Sequence, residues 1–274
     1  MNQLISASLA LCLELCLATG LAHAATGAES ERSDRSDVKA NGADSVVNET
    51  RAVDARVVRI KLDGVIDLKV RQGAVAGLVL IGEKRYIART STVQNGDTLV
   101  IDTDNRHVKF GRRDMLRAEL TLPRLREVRS DSIGATEVFG FNGDEIDLTL
   151  DGAGAMKVVA DYRVINASLG GVGSMNIQSG NGELVDLNLH GAGYVTLSGR
   201  TKVLKASLGG LGNLDAEKFQ AETVDLDMSG LGNASVLARQ NAILNLSGLG
   251  SVKVYGKPQN RTVSVDGLGK VSWK

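Results

Sequence analysis

The sequence is poor in cysteine, proline and aromatic residues. Of its 274 residues only two are cysteines and two are prolines, and aromatics make up 3%. Both cysteines, Cys12 and Cys16, lie within the first 24 residues, so a chain that loses this segment can form neither a disulfide nor a zinc–thiolate site. Lysine plus arginine and aspartate plus glutamate both number 32. This balance removes the electrostatic argument for binding nucleic acid.

Residues 1–24 have the pattern of a secretory signal peptide. An apolar run from Leu4 to Leu21 is followed by Ala22-His23-Ala24, which is a small-x-small cleavage site. Glu14 interrupts the run, so it is too short to span a membrane as a helix. We predict cleavage after Ala24. The expected product is an exported protein of the periplasm or the cell surface that is not an integral membrane protein.

The next two segments differ in their apolar pattern. Residues 25–50 carry Ser, Asp, Glu, Arg, Asn and Ala without apolar periodicity, which predicts a disordered tether. Residues 51–128 contain alternating apolar positions such as Val58, Ile60 and Leu62, and the hairpin signal Asn95-Gly96-Asp97. No stretch of 12 residues has a helical stripe. An N-terminal β module is therefore predicted over residues 51–128.

A Gly-x-Gly motif recurs every 18–20 residues over residues 129–274. Ser132-Ile133-Gly134 is a decayed copy one repeat earlier. Apolar residues alternate on both sides of each motif, which predicts two short strands per repeat. The fold class expected is all-β: a parallel β-solenoid of about 8 coils that shares its core with the N-terminal module. The first glycines of the seven clear copies are Gly152, Gly171, Gly191, Gly210, Gly230, Gly248 and Gly267.

Two further expectations concern the corners of each coil. The middle residue of Gly-x-Gly is always apolar, so we expect it to fill a corner of the core. The second corner is more variable, at residues 179–182, 199–202 and 256–259, and is expected to be a solvent-facing loop.

The order of these motifs resembles that of a known family. DGVIDLKVRQG (residues 63–73), NGDTLVI (95–101) and LTLPRL (120–125) are followed by the seven Gly-x-Gly copies. This arrangement resembles the auto-transporter adhesin head GIN-domain family of exported bacterial proteins, from about residue 56 to the end. The resemblance implies a fold similar to the parallel β-helices of pectin lyases, a role in cell adhesion and no catalytic residues. The family's usual motif is Gly-Ser-Gly, whereas the middle residue here is apolar.

Outward carboxylates are the main candidates for catalysis. Asp147, Asp186 and Asp225 share one position on alternate coils, and Asp227 lies beside Asp225. Paired acids can act as general acid and base on a polysaccharide. The interpretation we favour is a solvated sheet face, and we predict no catalytic, cofactor-binding or metal-binding residue. A calcium-binding nonapeptide repeat is excluded, because the position of its aspartate is apolar in all seven copies.

The remaining candidates are two histidines and four aromatic residues. His107 and His190 lie far apart in sequence, so neither a triad nor a metal site is predicted. All four aromatic residues could stack on sugar rings, but for Trp273 we favour an inward position that fills the last coil. The aromatic residues are Tyr162, Tyr194, Tyr255 and Trp273.

These observations predict an exported, non-enzymatic envelope or surface protein without a cofactor. It would be an adhesion or binding module that presents repetitive faces to a glycan or a protein. A polysaccharide-active lyase or hydrolase is the alternative, and a structural envelope scaffold is the third interpretation. Because the last coil shows no capping element, a contact between copies of the chain is also expected at one end of the solenoid.

Overall fold

The computed structural model describes residues 45–103 and 116–274. The predicted signal peptide, most of the predicted tether and His107 lie outside the described residues. Strands dominate, and α1 (Lys84–Ile87) is a single helical turn. In the described ranges no helix has the length and apolar character needed to span a membrane.

Eight strands precede the repeats. They are β1 (Val46–Arg51), β2 (Arg59–Asp63), β3 (Ile66–Gln72), β4 (Gly77–Glu83), β5 (Thr90–Asn95), β6 (Thr98–Thr103), β7 (Leu116–Leu122) and β8 (Glu127–Ser130). Nine strands form the repeats. They are β9 (Ile133–Leu150), β10 (Ala153–Leu169), β11 (Val172–Leu189), β12 (Ala192–Leu208), β13 (Leu211–Met228), β14 (Leu231–Leu246), β15 (Leu249–Tyr255), β16 (Asn260–Val265) and β17 (Lys270–Trp273).

The repeats form a parallel β-solenoid, as predicted. Each strand from β9 to β14 is one coil, and it pairs in parallel with the coils before and after it. β15 and β16 together make the next coil, which gives about seven turns, and β17 begins another. The decayed copy belongs to the series, because Gly134 pairs in register with Gly154.

The second corner differs from the prediction. We expected two short strands joined by a loop, but β9 to β14 each run through this corner as one strand of 16–18 residues. The bend is absorbed as a shift of register, for example between Ser179 and Asn181. Only the last of the three predicted loops is present, where Gly256 (φ +90°) and Pro258 separate β15 from β16. Pro258 has no N–H to donate to the ladder, which explains the break.

Strands of the N-terminal module pair with both halves of β9, the first coil of the solenoid. The beginning of β9 pairs with β3, which pairs with β7, and the end of β9 pairs with β8, which pairs with β2. One hydrophobic cluster extends from Val57 to Val254, so the two parts share a core as predicted. The outer strands β1 and β5 pair antiparallel with β4 and β6.

The predicted tether extends too far. Its last residues, 46–50, belong to β1, which pairs with β4 from Val46 opposite Glu83 onward. The strand lies at a sheet edge and is mostly exposed, so it has no apolar alternation for a sequence pattern to detect. Arg51 secures its end, donating from Nη1 to the Thr90 carbonyl oxygen (2.7 Å) and from Nη2 to that of Ile87 (3.1 Å).

Candidate functional site

The Gly-x-Gly corners stack directly on one another along the solenoid. A Cβ added to Gly171, Gly191 or Gly210 would collide with the carbonyl oxygen of the corresponding glycine one coil earlier. None of these three glycines has a positive φ. The motif therefore needs glycine because neighbouring backbones approach closely, not because the backbone is left-handed.

The middle residue of each motif points outward, so the prediction that it fills the core is wrong. Leu211 is 59% exposed, and Val172 is 64% exposed. The reason is strand alternation: Leu208 and Leu214, on either side of the corner, are buried, so Gly210 and Gly212 occupy inward positions and Leu211 an outward one. A Cβ on Gly212 would meet the core side chain of Leu189. The sequence carries a signal for this orientation, because every second position from Leu208 to Leu214 faces inward and Leu211 falls between two of them.

These outward residues form an apolar ladder, which we define as Val172, Ala192, Leu211, Leu231 and Leu249. Each is the register partner of the next. At about 4.8 Å per coil, the five rungs span about 19 Å. Leu231 and Leu249 are 48% and 49% exposed, so about half of each side chain faces water. The ladder is a convex ridge with an open trough floored by glycines on each side.

The coil corners that carry the ladder contain no charged side chain, although Asp151 and Asp215 lie beside them. We define the corner strip as residues 170–174, 190–194, 209–213, 229–233 and 247–251, which contain no Asp, Glu, Lys or Arg. One row beside the ladder is hydrogen-bonded along the solenoid. The backbone N–H of Asn233 donates to Asn213 Oδ1 (3.0 Å), and the Ser251 hydroxyl donates to Asn233 Oδ1 (2.6 Å).

Two ionisable side chains lie in the corner strip. Tyr194 is 43% exposed, and its hydroxyl donates to Asp215 Oδ2 (3.1 Å). Partial desolvation, followed by this hydrogen bond, raises the pKa of Tyr194. His190 is exposed at the other edge of the strip. Among the described residues there is no group of three or more potential metal ligands.

The structure does not bring the four candidate acids into one site. Asn166 and Lys205 separate Asp147, Asp186 and Asp225 along their row, which places successive acids two coils apart. Three of the four acids accept a hydrogen bond from the Nδ2 of an asparagine, and these pairs lie on the outer surface of the solenoid. The pairs are Asn166 to Asp147 (2.8 Å), Asn188 to Asp186 (3.3 Å) and Asn245 to Asp227 (2.8 Å).

Asp147 differs from the others in one respect. It lines a polar hollow where the N-terminal module meets the first coil, together with Arg126 and Glu145. Asp186, Asp225 and Asp227 do not line this hollow. It therefore holds only one of the four acids that the sequence pattern grouped together.

The candidate aromatic residues are also dispersed. Tyr162 is buried, and its hydroxyl donates to the Leu125 carbonyl oxygen (2.7 Å), so it cannot stack on a sugar. This burial raises the pKa of Tyr162. Trp273 packs against the core under the Arg261 guanidinium, which lies 4.4 Å from the ring centre. Tyr255 is half-buried and lies outside the corner strip. Of the four candidate aromatic residues, only Tyr194 lies within the strip.

Solved structures share this fold. A "putative adhesin" from Bacteroides fragilis is 19% identical, covers 84% of this chain and 97% of its own, and has a TM-score of 0.62. A "putative adhesin" from Parabacteroides merdae is 15% identical over 84% of this chain and 96% of its own, with a TM-score of 0.74. A "putative lipid binding protein" from Parabacteroides distasonis is 18% identical over 82% and 96%, with a TM-score of 0.68.

The family comparison agrees with the motifs found in the sequence. No curated protein matches the chain. One family matches residues 58–258, a range that begins just before β2 and reaches the break between β15 and β16. This range includes β2 to β8 of the N-terminal module and the stacked corners as far as Gly250. The chain therefore belongs to the family described as "Putative auto-transporter adhesin, head GIN domain".

Proposed function

We propose that the protein is an exported, non-enzymatic binding module of the bacterial envelope or cell surface, and that it contacts its partner through the corner strip. The observation that carries this proposal is the apolar ladder, in which large side chains stand half in water on consecutive coils. Isolated exposed leucines are common on protein surfaces. A contiguous apolar row with a polar border is a feature of interaction sites.

The fold itself does not require leucine at the outward position. The glycines make the corner, and the buried side chains come from the residues two positions away on either side, such as Leu208 and Leu214. Ala192 occupies the same outward position in its coil. A small residue therefore satisfies the backbone geometry, and the leucines at 211, 231 and 249 are better explained by contact with a partner.

The comparisons support a surface role. The family description and two of the solved structures refer to adhesins, and one solved structure is called a lipid-binding protein. These descriptions fit a binding module better than an enzyme. The separation of Asp147, Asp186 and Asp225 by two coils each supports the same interpretation, since an acid–base pair needs both carboxyl groups at one bond. Asp225 and Asp227 are the one neighbouring pair among the four, and both lie on the outer face of β13.

Export and segment boundaries are part of the proposal. A signal peptide over residues 1–24 would be removed after Ala24. A tether would then lead to the N-terminal module, which begins with β1 at Val46 and ends at about residue 128, and to the solenoid (129–274). Mass spectrometry of the protein from its native host tests the cleavage, since the mature chain should begin at Ala25. Light scattering on that mature protein tests the predicted contact between copies.

The binding role is tested by retention of the labelled mature protein on bacterial cells and on a panel of bacterial and host polysaccharides. The variant Leu211→Ser/Leu231→Ser should lose retention, while Val93→Ser, an equally exposed site on β5, should keep it. Retention that is equal in all three proteins would contradict a role for the corner strip. Shortened polysaccharide chains would instead support the enzyme alternative. Absence of retention on every surface would favour a structural scaffold.

A further inference from the structure

We infer that the partner of the corner strip is the surface of an uncharged, zwitterionic lipid bilayer, into which the apolar ladder inserts. This inference rests on the proposed function, because it takes the corner strip to be the contact surface. Four properties of the strip favour a bilayer over a small ligand or a folded protein. They are its shape, its area, its polarity and the state of its backbone.

The shape of the strip disfavours a small-molecule site. Binding sites for small molecules are concave and cover most of the ligand. The ladder is a convex ridge, and the troughs beside it are open and floored by stacked glycines. A ligand lying there would keep one side in water, whereas a ridge fits between the acyl chains of a bilayer.

The area of the strip is small for a contact with a folded protein. Its length is about 19 Å, and five residues at about 3.3 Å each give a width of about 16 Å. With the outward residues Ile133, Ala153 and Leu268 the row reaches eight coils and about 34 Å. Even this longer row covers only about 540 Å², whereas a stable protein interface covers about 800 Å² on each partner. A fluid bilayer has no such minimum, because lipids rearrange around a narrow ridge.

The polarity of the strip follows that of a membrane interface. Leucine tips project furthest, and the rows beside them carry hydroxyl, amide and imidazole groups together with the phenol of Tyr194. Tyrosine is enriched where hydrocarbon meets the headgroups. The strip has no Asp, Glu, Lys or Arg, and the carboxylates Asp151 and Asp215 lie at its edges, so insertion of the ladder would place no charged side chain of the strip in hydrocarbon. Attraction to anionic lipid is therefore not needed.

The backbone at the ladder is already hydrogen-bonded. The N–H groups of Ala192, Leu211 and Leu231 donate to the carbonyl oxygens of Gly171, Gly191 and Gly210 at 3.0–3.1 Å. Non-helical backbone is usually excluded from the hydrocarbon of a bilayer because its N–H and C=O groups would lack hydrogen-bond partners there. Here the bonds run from coil to coil along the ridge, so contact with acyl chains would leave these amides paired. The same hydrogen bonds hold the backbone of the ladder residues in fixed positions, so little conformational entropy would be lost when their side chains insert together.

The first test is sedimentation of the mature protein with phosphatidylcholine vesicles. The wild type should sediment, and Leu211→Ser/Leu231→Ser/Leu249→Ser should lose the affinity at least about tenfold. Val93→Ser should bind like the wild type. Circular dichroism and thermal unfolding must first show that each variant is folded. Equal binding by the triple variant would overturn the inference.

Salt and lipid charge sharpen the test. Because the corner strip is uncharged, binding should be nearly the same at low and high salt, and anionic lipid should not be required. Binding that depends on anionic lipid and disappears in high salt would place the contact on the charged faces and contradict the inference.

A site-specific probe measures insertion directly. A mature chain beginning at Ala25 contains no cysteine, so Leu231→Cys can be labelled with a polarity-sensitive fluorophore at one position. Vesicles should shift the emission of this probe to shorter wavelength, whereas a probe at Val93→Cys should not respond. Equal responses at the two positions would contradict insertion of the ladder.

Failure of the inference can be separated from failure of the proposed function. If vesicles do not bind but cells or polysaccharides retain the wild type and not the serine variants, the strip is a contact surface for a protein or glycan. In that case the proposed function stands and the lipid inference falls. If cells, polysaccharides and vesicles all fail to retain the wild type, both fall.

Discussion

The two corners of each coil solve the same bending problem in different ways. At the first corner, the glycine motifs of successive coils stay in exact register. At the second corner, the coils shift register by different amounts, as between Ser179 and Asn181 or between Ala216 and Gln220. One corner is therefore a straight, repeated edge, and the other absorbs the differences in coil length.

This difference explains where a contact surface can form. A partner that touches several coils at once needs side chains at a constant spacing, and only the first corner provides it. The five central copies of the first corner carry the uncharged ladder, and its charges lie in the end copies, as in the ion pair Arg129–Asp151 (2.8 Å). The second corner carries the ion pairs Arg163–Glu183 (3.0 Å) and Lys202–Glu183 (3.3 Å) along its central coils. The same substitution should therefore change the stability of the protein by different amounts at the two corners.

The largest effect is expected from adding one methyl group at each corner. Gly210→Ala places a Cβ against the carbonyl oxygen of Gly191, whereas Gly182→Ala at the second corner has its nearest contact at 3.4 Å. Gly210→Ala should lower the free energy of unfolding by about 4 kcal/mol or prevent folding, because the stacked backbone cannot move aside. Gly182→Ala should change it by less than about 1 kcal/mol.

Urea denaturation followed by circular dichroism measures both variants. If Gly210→Ala does not fold, its recovery in the insoluble fraction beside soluble Gly182→Ala gives the same ranking. Equal stability of the two variants would show that close stacking is not what requires glycine at the first corner.

The second effect compares an inward leucine with an outward one on neighbouring coils. Leu226 is fully buried, and Leu231 is about half exposed. Leu226→Ala should cost about 2–5 kcal/mol of unfolding free energy, because it removes core contacts and leaves a cavity. Leu231→Ala should cost less than about 1.5 kcal/mol, since much of that side chain already faces water. A larger cost at Leu231 would contradict its outward orientation.

The sequence was sufficient to predict the solenoid but not its outer surface. The glycine spacing and the alternating apolar residues fixed the coil period, and Gly134 pairs as the decayed copy requires. Apolar character alone predicts a buried Leu211, whereas the alternation that starts from the buried Leu208 places Leu211 on the outside, where the structure has it. Residues 46–50 could not be recognised as a strand, since an exposed edge is held by pairing with β4 and leaves no apolar pattern.

The smallest effect concerns the charged row at the second corner. Hydrogen bonds from Arg163 and then from Lys202 lower the pKa of the Glu183 carboxyl. A lowered pKa in the folded state stabilises the protein above the unfolded-state pKa, and this contribution is lost as the pH falls through the folded-state pKa. Glu183→Gln should therefore lower the melting temperature slightly at pH 7 in low salt, and the difference from the wild type should vanish at strongly acidic pH. High salt should also reduce it, because these charges are exposed. A difference in melting temperature that persists in acid would mean that Glu183 contributes through packing and not through its charge. The second corner, like the first, would then be stabilised by close packing rather than by ion pairs.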